Sequence, residues 1–239
     1  VADGMSKGVQ FLMKKNSIDV IIGSAKIRKG GQIEVSATDG SIKEYTATHT
    51  ILATGSRSRE LPNLKQDGKK VIGYRQAMVL PEQPKSLVVV GSGAIGVEFA
   101  YFYHAIGTKV TIIEYLDRIV PVEDDDISKQ LIRSFKKMGI VVMTGANVEA
   151  VDTSGEGCKV QVKTAAGTET IACDVVLSAV GISPNIENIG LEEAGVKTDK
   201  GRVLVDDFYK TNVNGVYAIG DIVKGQALAH VASAEGIIC

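Results

Sequence analysis

The stretch Leu87-Val88-Val89-Val90-Gly91-Ser92-Gly93-Ala94-Ile95-Gly96 constrains this chain more than any other. Four apolar residues in a row read as a strand buried on both faces, as in a parallel sheet. Glycines at 91, 93 and 96 follow at once. The apolar spacing then becomes helical, with Val97, Ala100, Tyr101 and Ala105 on one side and Gly107 as the stop. Such a turn is a phosphate cradle. Gly91 permits the tight turn, Gly93 lets backbone approach a pyrophosphate, and Gly96 lets the helix pack closely on the strand. Ser92, Ala94 and Ile95 complete the cradle at a helix N-terminus, where unpaired N–H groups carry partial positive charge.

A lone GxGxxG is a weak signal, so its surroundings decide. The next strand, Lys109-Val110-Thr111-Ile112-Ile113-Glu114, ends on an acid eighteen residues after Gly96. A carboxylate at a strand tip accepts hydrogen bonds from both hydroxyls of an adenosine ribose and repels a 2′-phosphate. A glycine-rich turn with an incidental surface glutamate is the poorer reading of strand, cradle, helix, strand and acid in that order. The expected cofactor is NAD.

The 239 residues exceed what one small domain needs and are compatible with two. With 44% hydrophobic and 23% charged residues and a net charge of −1, the chain has apolar mass for a sizeable core. Its mixed charges argue against a nucleic-acid partner or a membrane surface. No run reaches the length of a bilayer span, and no signal peptide is expected at the start. Cys158, Cys173 and Cys239 form no metal-spaced cluster, and His49, His104 and His230 are scattered. Cys158 and Cys173 can face each other across a hairpin, but small apolar side chains in a reducing compartment are the favoured reading. No metal site is expected. Asp124, Asp125 and Asp126 instead precede a helical stripe of Ile127, Leu131, Ile132, Phe135 and Met138, at the positive end of its dipole.

Taken in order, residues 1–15 show a loose helical pattern, with Met5, Val9, Leu12 and Met13 on one side. Ile18–Ile22 reads as a short strand, and Ile33–Val35 and Ile42–Thr48 as antiparallel strands around Thr38-Asp39-Gly40. Thr50–Ser56 is an apolar strand ending in small residues, and Arg57–Pro84 a polar crossover between domains. Beyond the cradle, Ile140–Met143 is a strand and Cys158–Lys163 pairs with Glu169–Ile171. Val175–Val180 is a central strand ending at Gly181. The expected class is α/β: a Rossmann-type dinucleotide-binding domain with a β-meander, flanked by parts of a second such domain.

Four motifs in order carry a resemblance: Ala53-Thr54-Gly55, Gly91-x-Gly93-x-x-Gly96-x-Glu98, Ala179-Val180-Gly181-x-x-Pro184-Asn185 and Ala218-Ile219-Gly220-Asp221. Together they resemble the flavin-dependent pyridine-nucleotide disulfide oxidoreductases. Lys7-Gly8-Val9-Gln10-Phe11-Leu12, Val97-Glu98-Phe99 and Leu228-Ala229-His230 look most like the dihydrolipoamide dehydrogenase branch. The resemblance implies FAD beside NAD. It makes 1–57 the second half of a FAD-binding domain, 58–183 the NAD-binding domain and 184–239 a return to the flavin. By position, Ala25, Thr54, Gly55 and Ser56 would lie near the adenosine half of FAD, and Asp221 would accept from a ribityl hydroxyl. The amides of Leu228, Ala229 and His230 would meet the flavin pyrimidine edge, where a helix N-terminus stabilises the charge of reduced flavin. Glu98 would reach the nicotinamide carboxamide, Gly181 would pass beneath the cofactor, and Val148 would touch adenine.

Departures matter as much. Many relatives have arginine after the glycine matched by Gly181, where this chain has Ile182. NADP-using relatives place arginines where Tyr115 and Pro121 stand, and Arg118 would pair with an acid such as Asp117 or with the neighbourhood of Glu114. The family's flavin GxGxxG, redox CxxxxC and dimerisation domain with its His-Glu pair are absent, so no catalytic residue is assigned. The chain is expected to be an internal fragment of an enzyme that oxidises dihydrolipoamide with NAD⁺. That parent would be a cytoplasmic or mitochondrial-matrix homodimer serving the lipoyl domain of a 2-oxoacid dehydrogenase complex. Another flavin reductase of the family, such as an NADH oxidase or mercuric reductase, and a free-standing nucleotide-binding module are the alternatives.

Overall fold

The structure is a computed structural model that describes residues 2–239. The chain divides into two compact units, one running up to Ser56 and resuming at Pro184–Cys239, the other comprising Arg57–Ser183.

The first unit opens with α1 (Ala2–Lys15), none of whose residues is buried. The Met5, Val9 and Leu12 stripe read from sequence forms, but faces no partner among the described residues. The strand expected at Ile18–Ile22 does not form. A strand needs a ladder partner, and this segment has none among the described residues; Ile18, Val20, Ile21 and Ile22 are exposed. Pairing starts instead at β1 (Ser24–Ile27), antiparallel to β2 (Gln32–Ser36). Gly23 admits the approach, since a Cβ there would lie 2.6 Å from the Ser36 carbonyl oxygen. β2 continues through Asp39-Gly40 to β3 (Ile42–Thr46). Asp39 accepts from the Ser41 amide at 2.8 Å, and Gly40 takes the left-handed φ of +82° that the turn requires. β4 (Thr50–Leu52) completes this part.

The second unit begins at the boundary strand β5 (Ser56–Ser58). It continues with β6 (Val71–Ile72), α2 (Tyr74–Ala77), β7 (Ser86–Val90), α3 (Ala94–Ala105) and β8 (Lys109–Ile113). Then come α4 (Asp125–Met138), β9 (Val141–Met143), an antiparallel meander of β10 (Asn147–Asp152), β11 (Cys158–Thr164) and β12 (Gly167–Cys173), and β13 (Val175–Ser178). β14 (Ile182–Pro184) leads out. The sheet order β6-β13-β7-β8-β9 is parallel throughout. Successive side chains of β7 go to opposite faces. Leu87 and Val89 join Ile112, Leu177, Ala100, Tyr103 and Phe135 on the helix side. Val88 and Val90 join Ile113, Val176, Val148, Val160 and Val162 on the meander side. From Leu87 to Val90 β7 is covered on both faces and has no position for a polar residue, and that part of its sequence is therefore an unbroken apolar run.

Three local readings need correction. Arg57–Pro84 is more than a crossover, since it holds the edge strand β6 and the one-turn helix α2, both too short to leave a periodic pattern. On α3 the buried positions are Gly96, Ala100 and Tyr103, and Tyr101 is 56% exposed. On α4 the stripe buries Phe135 but leaves Ile127 exposed. The Asp124 carboxylate caps α4 by accepting from the Asp126 amide at 2.9 Å, and Gly139 ends the helix at φ +94°. Cys158 and Cys173 are register partners with free, buried thiols, and burial pushes the Cys173 thiol up to about 12.

Back in the first unit, α5 (Leu191–Ala194), β15 (Thr198–Asp199), β16 (Arg202–Val203), β17 (Val216–Ala218) and α6 (Ala229–Ile238) follow. β17 pairs in parallel with β4. Ile27, Leu52, Leu191, Val203, Val216, Ala218 and Ile222 form the core here. Among the described residues, no helix is long and apolar enough to cross a membrane.

The buried Tyr103 hydroxyl donates to the Ala77 carbonyl at 2.6 Å, tying α3 to α2. Tyr103→Phe strands that carbonyl, so thermal or urea unfolding should show a loss of about 1–2 kcal/mol. An unchanged midpoint would mean that water replaces the bond.

Candidate functional site: the glycine cradle and the Asp221 turn

In the second unit the chain leaves β7 at Gly91, whose φ of +97° only glycine adopts easily. A Cβ at Gly91 would lie 2.4 Å from the Ala179 carbonyl oxygen, and one at Gly96 would lie 2.1 Å from the Gly91 carbonyl oxygen. The protein itself therefore demands both glycines. Gly93 differs, because nothing lies within 4 Å of where its Cβ would stand. It is also the N-cap of α3 and supplies no side-chain cap. The ladder starts with the Val97 amide donating to the Gly93 carbonyl at 3.1 Å, so the amides of Ala94, Ile95 and Gly96 have no helical acceptor. An open concavity lined by uncapped N–H groups is suited to an anion.

Glu114 stands at the tip of β8 and is 8% exposed. Its carboxylate accepts from the Ser92 amide at 2.8 Å, the Ser92 hydroxyl at 2.5 Å and the Leu116 amide at 2.9 Å. Ser92 is thus the strap between cradle and acid. Arg118 pairs with Asp125 and donates to the Pro121 carbonyl at 2.9 Å, so its partner is neither Asp117 nor Glu114. Glu98 is exposed one turn into α3, at the rim of a depression of about 450 Å³ shared with Met78, Phe99 and Phe102. The Val148 side chain is 6% exposed in the meander core, and its carbonyl accepts from Asn63 Nδ2 at 2.6 Å. Gly181 takes φ +108° with open space where a Cβ would stand, and its carbonyl accepts from the Arg59 amide at 3.0 Å.

The remaining sequence-derived positions belong to the first unit, where Ala25 is exposed on β1. The parallel pair β4 and β17 brings two loops out at neighbouring carboxyl ends, the usual place for a ligand in such sheets. Thr54 Oγ1 donates to the Asn185 carbonyl at 2.6 Å. In return, Asn185 donates to the carbonyls of Thr54, at 3.0 Å from its side chain, and Gly55, at 2.9 Å from its amide. The Ser56 hydroxyl donates to Asp221 Oδ2 at 2.5 Å. Arg202 braces the Asp221 turn by donating to the Val223 carbonyl and, at 3.4 Å, to that of Asp221. The Gly220 amide donates to Glu235 Oε2 at 2.6 Å. Leu228, Ala229 and His230 are exposed at the start of α6, which has no side-chain cap. The sequence reading missed Ser92 as the strap, Arg202 and Glu235. An arginine or a glutamate alone in a polar or helical stretch leaves no spacing signal; only the fold brings these two to the turn. Among the described residues no cluster of His, Cys, Asp and Glu could hold a metal ion.

The chain as a whole is similar to known proteins in sequence and in fold. The sequence model of the pyridine nucleotide-disulphide oxidoreductases matches residues 1–236. The dihydrolipoyl dehydrogenase of Rhizobium etli is 43% identical over 254 residues, covering all of this chain and 53% of that protein. The enzyme of the same name from Chlorobaculum tepidum is 43% identical over 239 residues, all of this chain and 51% of that protein. The crystal structure of LpdA from Mycobacterium tuberculosis superposes with a TM-score of 0.90 at 32% identity, covering 99% of this chain and 52% of that one. The HOCl-induced flavoprotein disulfide reductase RclA of Escherichia coli, solved as a Cu(II) complex, gives 0.82 at 26% identity, over 98% of this chain and 54% of that one. The chain therefore spans about half the length of the curated relatives it matches. Proteins of this kind use FAD and NAD(H). With the family's sequence pattern running almost end to end and its fold reproduced, the chain belongs to the pyridine nucleotide-disulphide oxidoreductase family.

Proposed function

We propose that this chain supplies the NAD-binding domain and part of the FAD site of a dihydrolipoyl dehydrogenase. The parent enzyme would oxidise dihydrolipoamide, free or on the lipoyl domain of a 2-oxoacid dehydrogenase complex, with NAD⁺ as acceptor. It would act as a homodimer in the cytoplasm or, in a eukaryote, the mitochondrial matrix. Residues 58–183 are assigned to NAD, and 1–57 with 184–239 to FAD.

The observation that carries this reading is the difference between Gly93 and its two neighbours. Gly91 and Gly96 are explained by the protein's own contacts, whereas the space beside Gly93, at the uncapped start of α3, is open, which supports a pyrophosphate there. On this assignment the Ala94, Ile95 and Gly96 amides hold the pyrophosphate and Ser92 keeps Glu114 aimed at the ribose. Glu98 and Gly181 flank the nicotinamide, and Val148 contributes through backbone, since its side chain is committed to the core. For FAD, Ala25 and the Thr54-Gly55-Ser56 loop border the adenosine half. Asp221 has Oδ1 to offer a ribityl hydroxyl while Ser56 holds Oδ2. The uncapped amides of Ala229 and His230, preceded by Leu228, face the flavin's electron-rich edge. The bound flavin supplies the electron relay between dithiol and nicotinamide; these residues bind and orient.

Two measurements test the assignment. Isothermal titration with NADH and NADPH should give NADH at least about a tenfold advantage, roughly 1.4 kcal/mol, from the fixed Glu114 charge. Equal or tighter NADPH binding refutes it. Gly93→Ala should leave the melting temperature within about a degree but weaken NADH at least tenfold, because its methyl enters space only a ligand uses. Gly96→Ala should instead destabilise the fold by about 1–3 kcal/mol through overpacking. Undiminished NADH affinity in Gly93→Ala would remove the pyrophosphate from the cradle.

A further inference from the structure

Glu235 is a carboxylate only 4% exposed on α6, a costly placement that the hydrogen bonds around it must offset. Its Oε2 accepts from the Gly220 amide at 2.6 Å, the amide immediately before Asp221. The Tyr209 phenol is a further neighbour: loss of hydration and the nearby Glu235 carboxylate both push its pKa up. Tyr209 has φ +60°, a conformation that residues other than glycine rarely adopt, and it persists only where the surroundings over-determine it. Here its amide donates to the Asp206 carbonyl and its carbonyl accepts from the Ala218 amide, both at 3.0 Å. The Arg202 guanidinium at the same turn is engaged with the backbone carbonyls of Asp221 and Val223, and Glu235 serves the turn as acceptor of the Gly220 N–H.

Position gives this network its meaning. Glu235 lies six residues beyond Ala229 on one continuous helix, so its distance along the axis is set at about 9 Å from Ala229 and about 7.5 Å from His230. Through Gly220 it also holds the turn bearing Asp221. One side chain thus joins two elements far apart in sequence into a single frame. A ligand touching both Asp221 and the start of α6 requires that frame before it arrives.

We propose that Glu235 is a positioning residue of the flavin site, which sets Asp221 against the N-terminus of α6 by accepting the Gly220 amide. The role rests on the flavin reading above. Glu235 does not touch the cofactor and acts through Asp221.

A double-mutant cycle read as the FAD dissociation constant of the full-length protein tests it. Glu235→Ala should weaken FAD about tenfold, and Glu235→Gln should stay within about threefold of wild type, since the amide oxygen still accepts the Gly220 N–H. In an Asp221→Ala background, Glu235→Ala should add less than about twofold, because residues acting as a unit are not additive. A merely stabilising carboxylate would give the same factor in both backgrounds, and that result overturns the proposal. So does a glutamine variant no better than alanine. If Asp221→Ala alone leaves FAD unchanged, the Asp221 assignment falls and this role with it. If Asp221→Ala weakens FAD but Glu235→Ala does not, only the role of Glu235 falls. Should Glu235→Ala fail to fold, Glu235→Asp takes its place in the cycle, since its carboxylate is one methylene too short to keep the Gly220 N–H bond. About threefold weakening with the same non-additivity supports the proposal, and additivity overturns it.

Discussion

The close approach of α3 to the loop before it governs the second unit. Gly96 leaves room for the Gly91 carbonyl, Gly91 leaves room for the Ala179 carbonyl, and in this way helix, cradle and the end of β13 are stacked without side chains between them. Any β-carbon at those two positions would push the helix off the sheet and misalign the amides at its start. From that stacking follow the place of Ser92, completely buried beneath the loop, and the docking of Glu114 onto it. The first unit solves a similar problem with polar atoms. Asn185 and Thr54 exchange hydrogen bonds across the chain's return, and Ser56, Arg202 and Glu235 converge on the Gly220–Ile222 turn.

What could be read from sequence divides along the same physical line. Patterns that repeat were visible: the apolar run of β7, the cradle glycines, the acid at the end of β8 and the capped helix α4. Each is a local consequence of a local requirement. The pair β6 and α2 escaped because two residues and one turn are shorter than the period needed to detect them. Ile18–Ile22 misled because apolar composition says nothing about whether a ladder partner exists. Tyr101 was expected inside and Tyr103 is covered instead, because two tyrosines two positions apart on a helix face different ways and only the position of α2 decides which is covered.

The candidate site was legible to the same degree. Residues contributing backbone, such as Gly91, Gly93 and Gly96, betray themselves by being glycine. Residues acting through a side chain on a distant loop do not. Glu235 reads as an ordinary helix acid until Gly220 and Tyr209 are brought to it. Val148 shows the converse: a candidate contact by resemblance, its side chain is spent on the meander core, and only backbone remains to offer.

The three-point tether of Glu114 also has a kinetic meaning. An exposed glutamate on a strand tip samples many rotamers and can swing aside from an unwelcome neighbour. This one cannot turn without abandoning the Ser92 and Leu116 amides, which would then sit poorly solvated beside it. Its negative charge is therefore immobile on the timescale of side-chain rotation. Discrimination by such a group comes from stiffness rather than from added attraction. In the proposed role at the ribose, a bulky anion would meet a charge that does not yield, whereas hydroxyls would meet an acceptor already in place.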